Sequence, residues 1–378
     1  MSPGAARRGV FLVFFVHGAL FASWVARIPA IKGEHRLGDA ELGLVLLCGT
    51  FGGVVALPLA GWLVARTGSR RTVEAGQPVY ALLLVALAVA PTPITLAAAF
   101  FCFGAAASAI DVAMNAHGIA VERLYERPIL SSFHAGWSLG GLAGAGAGAG
   151  AAVLGVGAGW HFAGAAGLLG ATGIIAARRL LPASADRGEG TTGLRRPPRR
   201  LLPLAILAFA GLFAEGAAAD WSAVYIDEPL EASEAVAALG FAFFAVAMTI
   251  FRFAGDGLTA RLGPVTVVRA GGIAAGGGLA FALVVGHPAA ALIGFVLMGA
   301  GLAALVPIVF RAAGTTPGIS PSAGIAALAT VGYAAFMVGP PAIGLLSEAV
   351  GLDNALWLVV ALLALLVPLA QTARPAPS

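Results

Sequence analysis

A few ionisable and polar side chains stand inside long apolar runs of this sequence, and they are the groups able to do chemistry. Asp111 and Asn115 are four residues apart, which puts an acid and an amide on one helix face. Ser131, His134 and Ser138, spaced by three and four, form a second polar face, and His17 and Trp24, seven apart, form a third. Further on come Glu215, with Ser222 on its face, then Asp220, and then Arg252 and Asp256 as an i, i+4 pair. Carboxyl and imidazole groups in such settings bind solutes or exchange protons. They do not make a hydrolytic or metal centre. The chain has no HExxH, GxGD or GxSxG arrangement, its histidines are scattered, and Cys48 and Cys102 belong to no CxxC or Cys/His cluster. No metal, cofactor or enzymatic activity is expected.

The elements that must position these groups are set by composition. Of 378 residues, 59% are hydrophobic, 11% are charged and 53 are glycine, and the mean hydropathy is +0.93. A water-soluble domain carries about 25% charged residues, and disorder requires low hydrophobicity, so both classes are excluded. Backbone groups in hydrocarbon must be paired internally, so the apolar runs are read as helices cut at charges and Pro/Gly turns. The first six run from 10 to 31, 40 to 65, 72 to 91, 93 to 116, 129 to 156 and 160 to 181. The second six run from 201 to 226, 235 to 260, 264 to 286, 289 to 312, 322 to 346 and 353 to 372. Between them Pro182 to Arg200 is too polar to span and reads as a flexible linker. The expected class is therefore an all-α membrane protein with 12 transmembrane helices in two pseudo-symmetric six-helix bundles, 1–181 and 201–378, joined by the linker 182–200. Arg7 and Arg8 before Val10 resemble a signal peptide, but no small-x-small cleavage site stands out, so this is read as a retained first helix.

Basic residues orient the spans. Counted on alternate sides, 18 arginines fall on the side of both ends and the linker, against Arg27, Lys32 and Arg36 on the other. The positive-inside rule then makes both ends and the linker cytoplasmic, in a multi-pass protein of the inner membrane. The arginines sit in short loops without interleaved aromatics, so nucleic acid is not an expected partner. An internal repeat also appears: Arg66 and Gly68 recur as Arg261 and Gly263, each 195 residues on. Two parallel repeats suit a rocking-bundle transporter.

With Gly61, Arg66, Gly68, Arg70 and Arg71 at the turn between the second and third spans, the chain resembles the major facilitator superfamily. The family pattern is G-x-x-x-D-R-x-G-R-R/K, and the sequence departs from it at Ala65, where the acid should stand, and at Ser69. The stretches Phe21–Lys32, Asp111–Asn115, Ser131–Ser138 and Glu215–Ser222 are similar to the YbjJ-type bacterial branch, and the Ser131–Ser138 phrase is also reminiscent of sugar/proton symporters of the fucose permease type. The resemblance covers essentially the whole chain and implies the fold without naming a substrate.

Depth ranks the polar groups. At 1.5 Å per residue, Asp111 lies about 16 Å from the helix end at Glu122, near the middle of a core about 30 Å thick. By the same rise His17 lies about 13 Å in, Glu215 about 18 Å in, and Asp220 only about 10 Å from the outer end. Asp111, Asn115, His134, Ser138, His17, Trp24 and Glu215 are accordingly the candidates for binding or proton coupling. Arg66, Gly68, Arg70, Arg71, Arg252, Asp256 and Asp220 are the candidates for gating. Against each stands plain packing. Asp111, His134 and His17 could serve only as interhelical hydrogen bonds worth about 0.6 kcal/mol each, Arg252 and Asp256 could simply satisfy one another, and Gly140, Gly144 and Gly148 read as a close-packing stripe. The expected function is secondary active transport of a small solute by alternating access; no P-loop or GxGxxG is present, so the energy comes from an ion gradient, with protons the expected ion, or from the solute's own gradient. The resemblance favours uptake over efflux, since antiporters of that superfamily usually carry a Gly-Pro-rich motif on the fifth helix, which here has no proline after Pro128. Solute, protons and membrane lipid are the expected partners of a monomer. The alternatives are an efflux antiporter for drugs or metabolites and a non-transporting membrane sensor.

Overall fold

The computed structural model describes residues 2–125, 129–185, 199–314, 316–317 and 321–374. Of the described residues 87% are helical, and no strand occurs among them. It divides into two compact units, Met1–Leu37 with Val45–Thr191, and Gly38–Leu44 with Thr192–Ser378.

The first six predicted spans appear as α1 (Pro3–Val25), continued after a break by α2 (Ile28–His35), then α3 (Asp39–Thr67), α4 (Ser69–Val89), α5 (Pro93–Glu122), α6 (Leu130–Val153) and α7 (Ala158–Ala177). After a short 3-10 turn, Arg199–Leu201, come α8 (Leu202–Asp227), α9 (Glu234–Leu262), α10 (Pro264–Val285), α11 (Pro288–Leu302), α12 (Leu305–Gly314) and α13 (Pro321–Val350). The last span is made of α14 (Leu352–Ala355), α15 (Trp357–Ala364), α16 (Leu366–Leu369) and a closing 3-10 turn, Ala370–Ala373. Eleven helical segments among the described residues are long and apolar enough to cross a membrane. The remaining predicted span, 129 to 156, is α6. Its 24 residues are long enough, but alternating Gly and Ala dilute its hydropathy.

Three predicted spans are interrupted where proline forbids continuity. Pro29 sits in the first turn of α2, the favoured place for a residue with fixed φ and no N–H, and the chain turns at Ala26 and Arg27 just before it. Pro307 removes the amide that would bond the Ala303 carbonyl, and α11 ends at Leu302. Pro368 does the same to Ala364, where α15 ends. The two turns with the fewest polar residues are both built. Thr92 and Thr95 form a reciprocal capping box at the start of α5. His287 caps α11, its ring Nδ1 accepting from the Ala289 N–H at 3.2 Å.

The surface is inverted relative to a soluble protein. Trp160 is 81% exposed, Ile94 82% and Leu154 79%, as a lipid-facing wall requires. Trp24, Tyr80, Phe14, Phe133 and Phe162 fill the interior of the first unit, and Trp221 and Tyr225 that of the second. Small residues bring helices close. A methyl at Gly140 or Gly144 of α6 would run into the carbonyl of Phe15 or Ala19 on α1, so that stripe packs helices together. The internal repeat is visible in the backbone: Gly68 (φ 85°, ψ 151°) and Gly263 (φ 78°, ψ 152°) share one conformation at the starts of α4 and α10.

Candidate functional site

In the first unit α5 carries the central acid. Asp111 and Asn115 are both half-buried on one face of the helix, whereas their neighbours Ala113, Met114 and His117 are buried. The Asn115 Nδ2 donates to the Asp111 carbonyl at 2.9 Å and to its Oδ1 at 3.1 Å. The amide therefore holds the carboxyl by one oxygen against its own helix. No cation pairs with Asp111 among the described residues.

His17 is placed differently from Asp111. Its Nε2 lies 3.2 Å from the Ala107 carbonyl of α5, and its Nδ1 accepts from the Trp137 Nε1 of α6 at 3.0 Å. That fixes the proton on Nε2, where it donates to the carbonyl. The ring also stacks on Tyr80 of α4, with centroids 5.2 Å apart. His17 is thus a buried junction of four helices, one turn from Asp111 along α5. Trp24 is also buried, packed against Phe100 at 4.7 Å and Phe162 at 6.4 Å between ring centroids. His134 is exposed, with its ring edge on Phe14. Ser138 is buried and donates to the His134 carbonyl at 3.3 Å. The Ser131 side chain lies outside the described residues.

The second unit presents an ion pair. On α8 the half-buried positions Ile206, Phe209, Leu212 and Glu215 recur every three residues along a helix otherwise packed on its sides. Glu215 ends that stripe. Its Oε1 lies 3.3 Å from an Arg252 guanidinium nitrogen on α9, and the two side chains keep 23% and 35% of their surface. The sequence joined Arg252 to Asp256 by spacing alone and so missed this partnership between helices. The Asp256 side chain lies outside the described residues. Asp220 is half-buried, and neither an ion pair nor a hydrogen bond engages it among the described residues. No group of three His, Cys, Asp or Glu side chains able to hold a metal occurs among the described residues.

The turn bearing the family-like motif is anchored within its own unit. Arg70 bonds Glu74 at 2.8 Å and donates to the Leu180 carbonyl at 3.3 Å. Arg66 stacks over Trp62, 5.2 Å from the ring centroid, and Arg71 is exposed. Gly68 lies so close to Ala183 that a side chain there would meet its carbonyl. Ser69, a departure from the family pattern, lies 2.6 Å from the Nδ1 of His117 on α5, while the His117 Nε2 accepts from the Leu181 N–H at 2.9 Å. His117 is buried and ties the turn, α5 and the chain beyond α7 together. Sequence reasoning passed over it. The only signal was a histidine six residues beyond Asp111.

A sequence profile of the Major Facilitator Superfamily matches residues 9–319. The chain belongs to that superfamily. It is 34% identical over 364 residues to an uncharacterized MFS-type transporter of Yersinia pestis, covering 96% of this chain and 94% of the other. It is 35% identical over 368 residues to the uncharacterized transporter y4wD of Sinorhizobium fredii, covering 96% and 97%. In structure it is similar to the nucleoside transporter NupG, with a TM-score of 0.73 at 16% identity over 97% of each chain. At that identity the likeness shows the fold alone. As a superfamily member this protein is a membrane-embedded transporter of small solutes and not an enzyme.

Proposed function

We propose that this superfamily member is a proton-coupled transporter that takes a small polar or amphipathic solute into the cell by alternating access, with Asp111 as the coupling acid. The observation that carries the reading is Asp111 itself: a half-buried carboxyl at mid-span depth, held by a neutral amide and without a cation partner among the described residues. Such a group has no fixed counter-charge, so a proton or a bound solute must supply one. Asn115 orients it, His17 supports α5 behind it, and His134 is exposed on a neighbouring helix of the same unit. Glu215 with Arg252 forms the polar site of the second unit, and Trp24 and Ser138 serve packing. Asp220 and Asp256 are assigned to the cycle of opening and closing, together with the Gly68–Arg71 turn, where arginines can dock on helix ends and favour one gate state.

The arginine asymmetry supports two bundles, 1–181 and 201–378, with the linker 182–200 and both ends in the cytoplasm of an inner-membrane protein. Uptake is favoured over efflux because α6 lacks the Gly-Pro pattern usual in antiporters, the Gly339-Pro340-Pro341 run lying in α13 instead. The test is flux. Vesicles reconstituted with the protein, given an inward proton gradient and a panel of polar solutes, should accumulate one class of them and acidify as they do. Accumulation that ignores the gradient would refute the coupling, and a reporter fused after residue 190 that proved external would refute the topology.

A further inference from the structure

We propose that the end of the second unit where α8 begins holds a binding site for a phosphate oxyanion, supplied by the headgroup of an anionic lipid. A cavity of about 220 Å³ opens there, lined by Arg200, Pro203, Leu204, Thr316, Thr372 and Arg374 among others. Three parts of the chain converge on it: the start of α8, the residues just beyond α12, and the end of the last span. At about 30 Å³ per water molecule, the space takes a phosphodiester group with a few waters but not a lipid's chains.

The lining is prepared for an anion. Arg200 and Arg374 are both exposed, and no carboxylate pairs with either among the described residues. Two arginines line one small cavity, and the planar fork of a guanidinium matches two oxygens of a phosphate. The cavity lies at the beginning of the α8 helical run, the positive end of its dipole. Pro203, which has no N–H to lose, stands in its first turn.

Carbonyls from the two converging helix ends would oppose an anion, but hydroxyls occupy some of them. Thr316 Oγ1 donates to the Ala312 carbonyl at 2.9 Å and Thr372 Oγ1 to the Leu369 carbonyl at 2.7 Å. The arginines are left as the donors that face the space. Leu204, which lines it, and Leu202, 56% exposed in the same first turn of α8, make that turn apolar. A site at the end of membrane spans, with cations inside and an apolar flank, matches the level at which lipid phosphates lie. Sequence reading grouped Arg200 with the linker arginines, but the fold joins it to Arg374.

The test uses the full-length protein in detergent and a double variant, Arg200→Gln with Arg374→Gln. Thermal stability is measured with added phosphatidylglycerol, phosphatidylcholine or inorganic phosphate. Phosphatidylglycerol should raise the wild-type midpoint by several degrees and phosphatidylcholine should not, while the double variant, unchanged in phosphatidylcholine, should lose at least half of the rise. A rise reproduced in full by inorganic phosphate, and lost in the variant, would keep the oxyanion site but overturn the lipid as its source. An equal phosphatidylglycerol effect in both proteins, or none in the wild type, would overturn the site. Arg200→Lys with Arg374→Lys guards against a folding artefact, since retained charge should keep part of the shift.

Discussion

Asp111 and Glu215 are both half-buried acids near the middle of a span, one in each unit, and their surroundings differ in kind. Glu215 lies 3.3 Å from the Arg252 guanidinium, so its charge is matched on the protein. Among the described residues Asp111 has only the Asn115 amide. A carboxylate beside a fixed cation has its counter-charge on the protein, whereas one beside a neutral amide in an apolar span must obtain it from outside. The comparison teaches that depth alone does not assign roles to intramembrane acids. The partner does.

Substitutions at both acids can break or sharpen that contrast. The largest effect is expected from Asp111→Asn, which keeps the shape and removes the titratable group. A gradient of one pH unit is worth about 1.4 kcal/mol per proton and so supports about tenfold accumulation for one coupled proton; in this variant the accumulation ratio in vesicles should fall to about one. Next is Glu215→Gln, which leaves Arg252 without its partner. The pair is neither fully exposed nor fully buried, so a loss of about 1–2 kcal/mol is expected in denaturation experiments. The double variant with Arg252→Gln should recover part of it, and failure to do so would deny that the two residues interact.

The two repeated turns supply a second contrast. Gly68 and Gly263 share a backbone conformation open almost only to glycine, in which another residue costs about 1–3 kcal/mol. Gly68 is also crowded by Ala183, while among the described residues nothing lies within 4 Å of the corresponding point at Gly263. Gly68→Ala should therefore lower the thermal midpoint more than Gly263→Ala, and equal losses would show that the backbone conformation alone matters. The smallest effect on solute binding is expected from Arg70→Gln. Its contacts with Glu74 and Leu180 lie in the turn, so transport should slow while equilibrium binding of solute stays largely intact. Loss of binding in a folded protein would move Arg70 into the recognition machinery.

How much of this was legible in the sequence follows from the range of the forces involved. The spans, and the glycine at each Arg-x-Gly turn, depend on local hydropathy and on φ, and these can be read residue by residue. The breaks before Pro307 and Pro368 were equally local, but continuous hydropathy across 289 to 312 and 353 to 372 masked them. The site was legible only in depth. Spacing placed His17 and Asp111 at similar levels, but the rotation of each helix decides that His17 points to Ala107 and Trp137 while Asp111 stays half-exposed. The Glu215–Arg252 pair and the hydrogen bonds of His117 join residues on different helices, and no periodicity within one helix can predict them.

The central claim is that the two acids are not equivalent: Asp111 couples transport to protons and Glu215 does not. Its most direct test compares Asp111→Asn and Glu215→Gln vesicles with wild type in two modes, accumulation driven by a pH gradient and exchange of solute without one. Asp111→Asn should lose accumulation and retain exchange, while in Glu215→Gln whatever transport survives should still follow the gradient. Normal pH-driven accumulation by Asp111→Asn would contradict the account, return Asp111 to a packing role and move the coupling to Glu215.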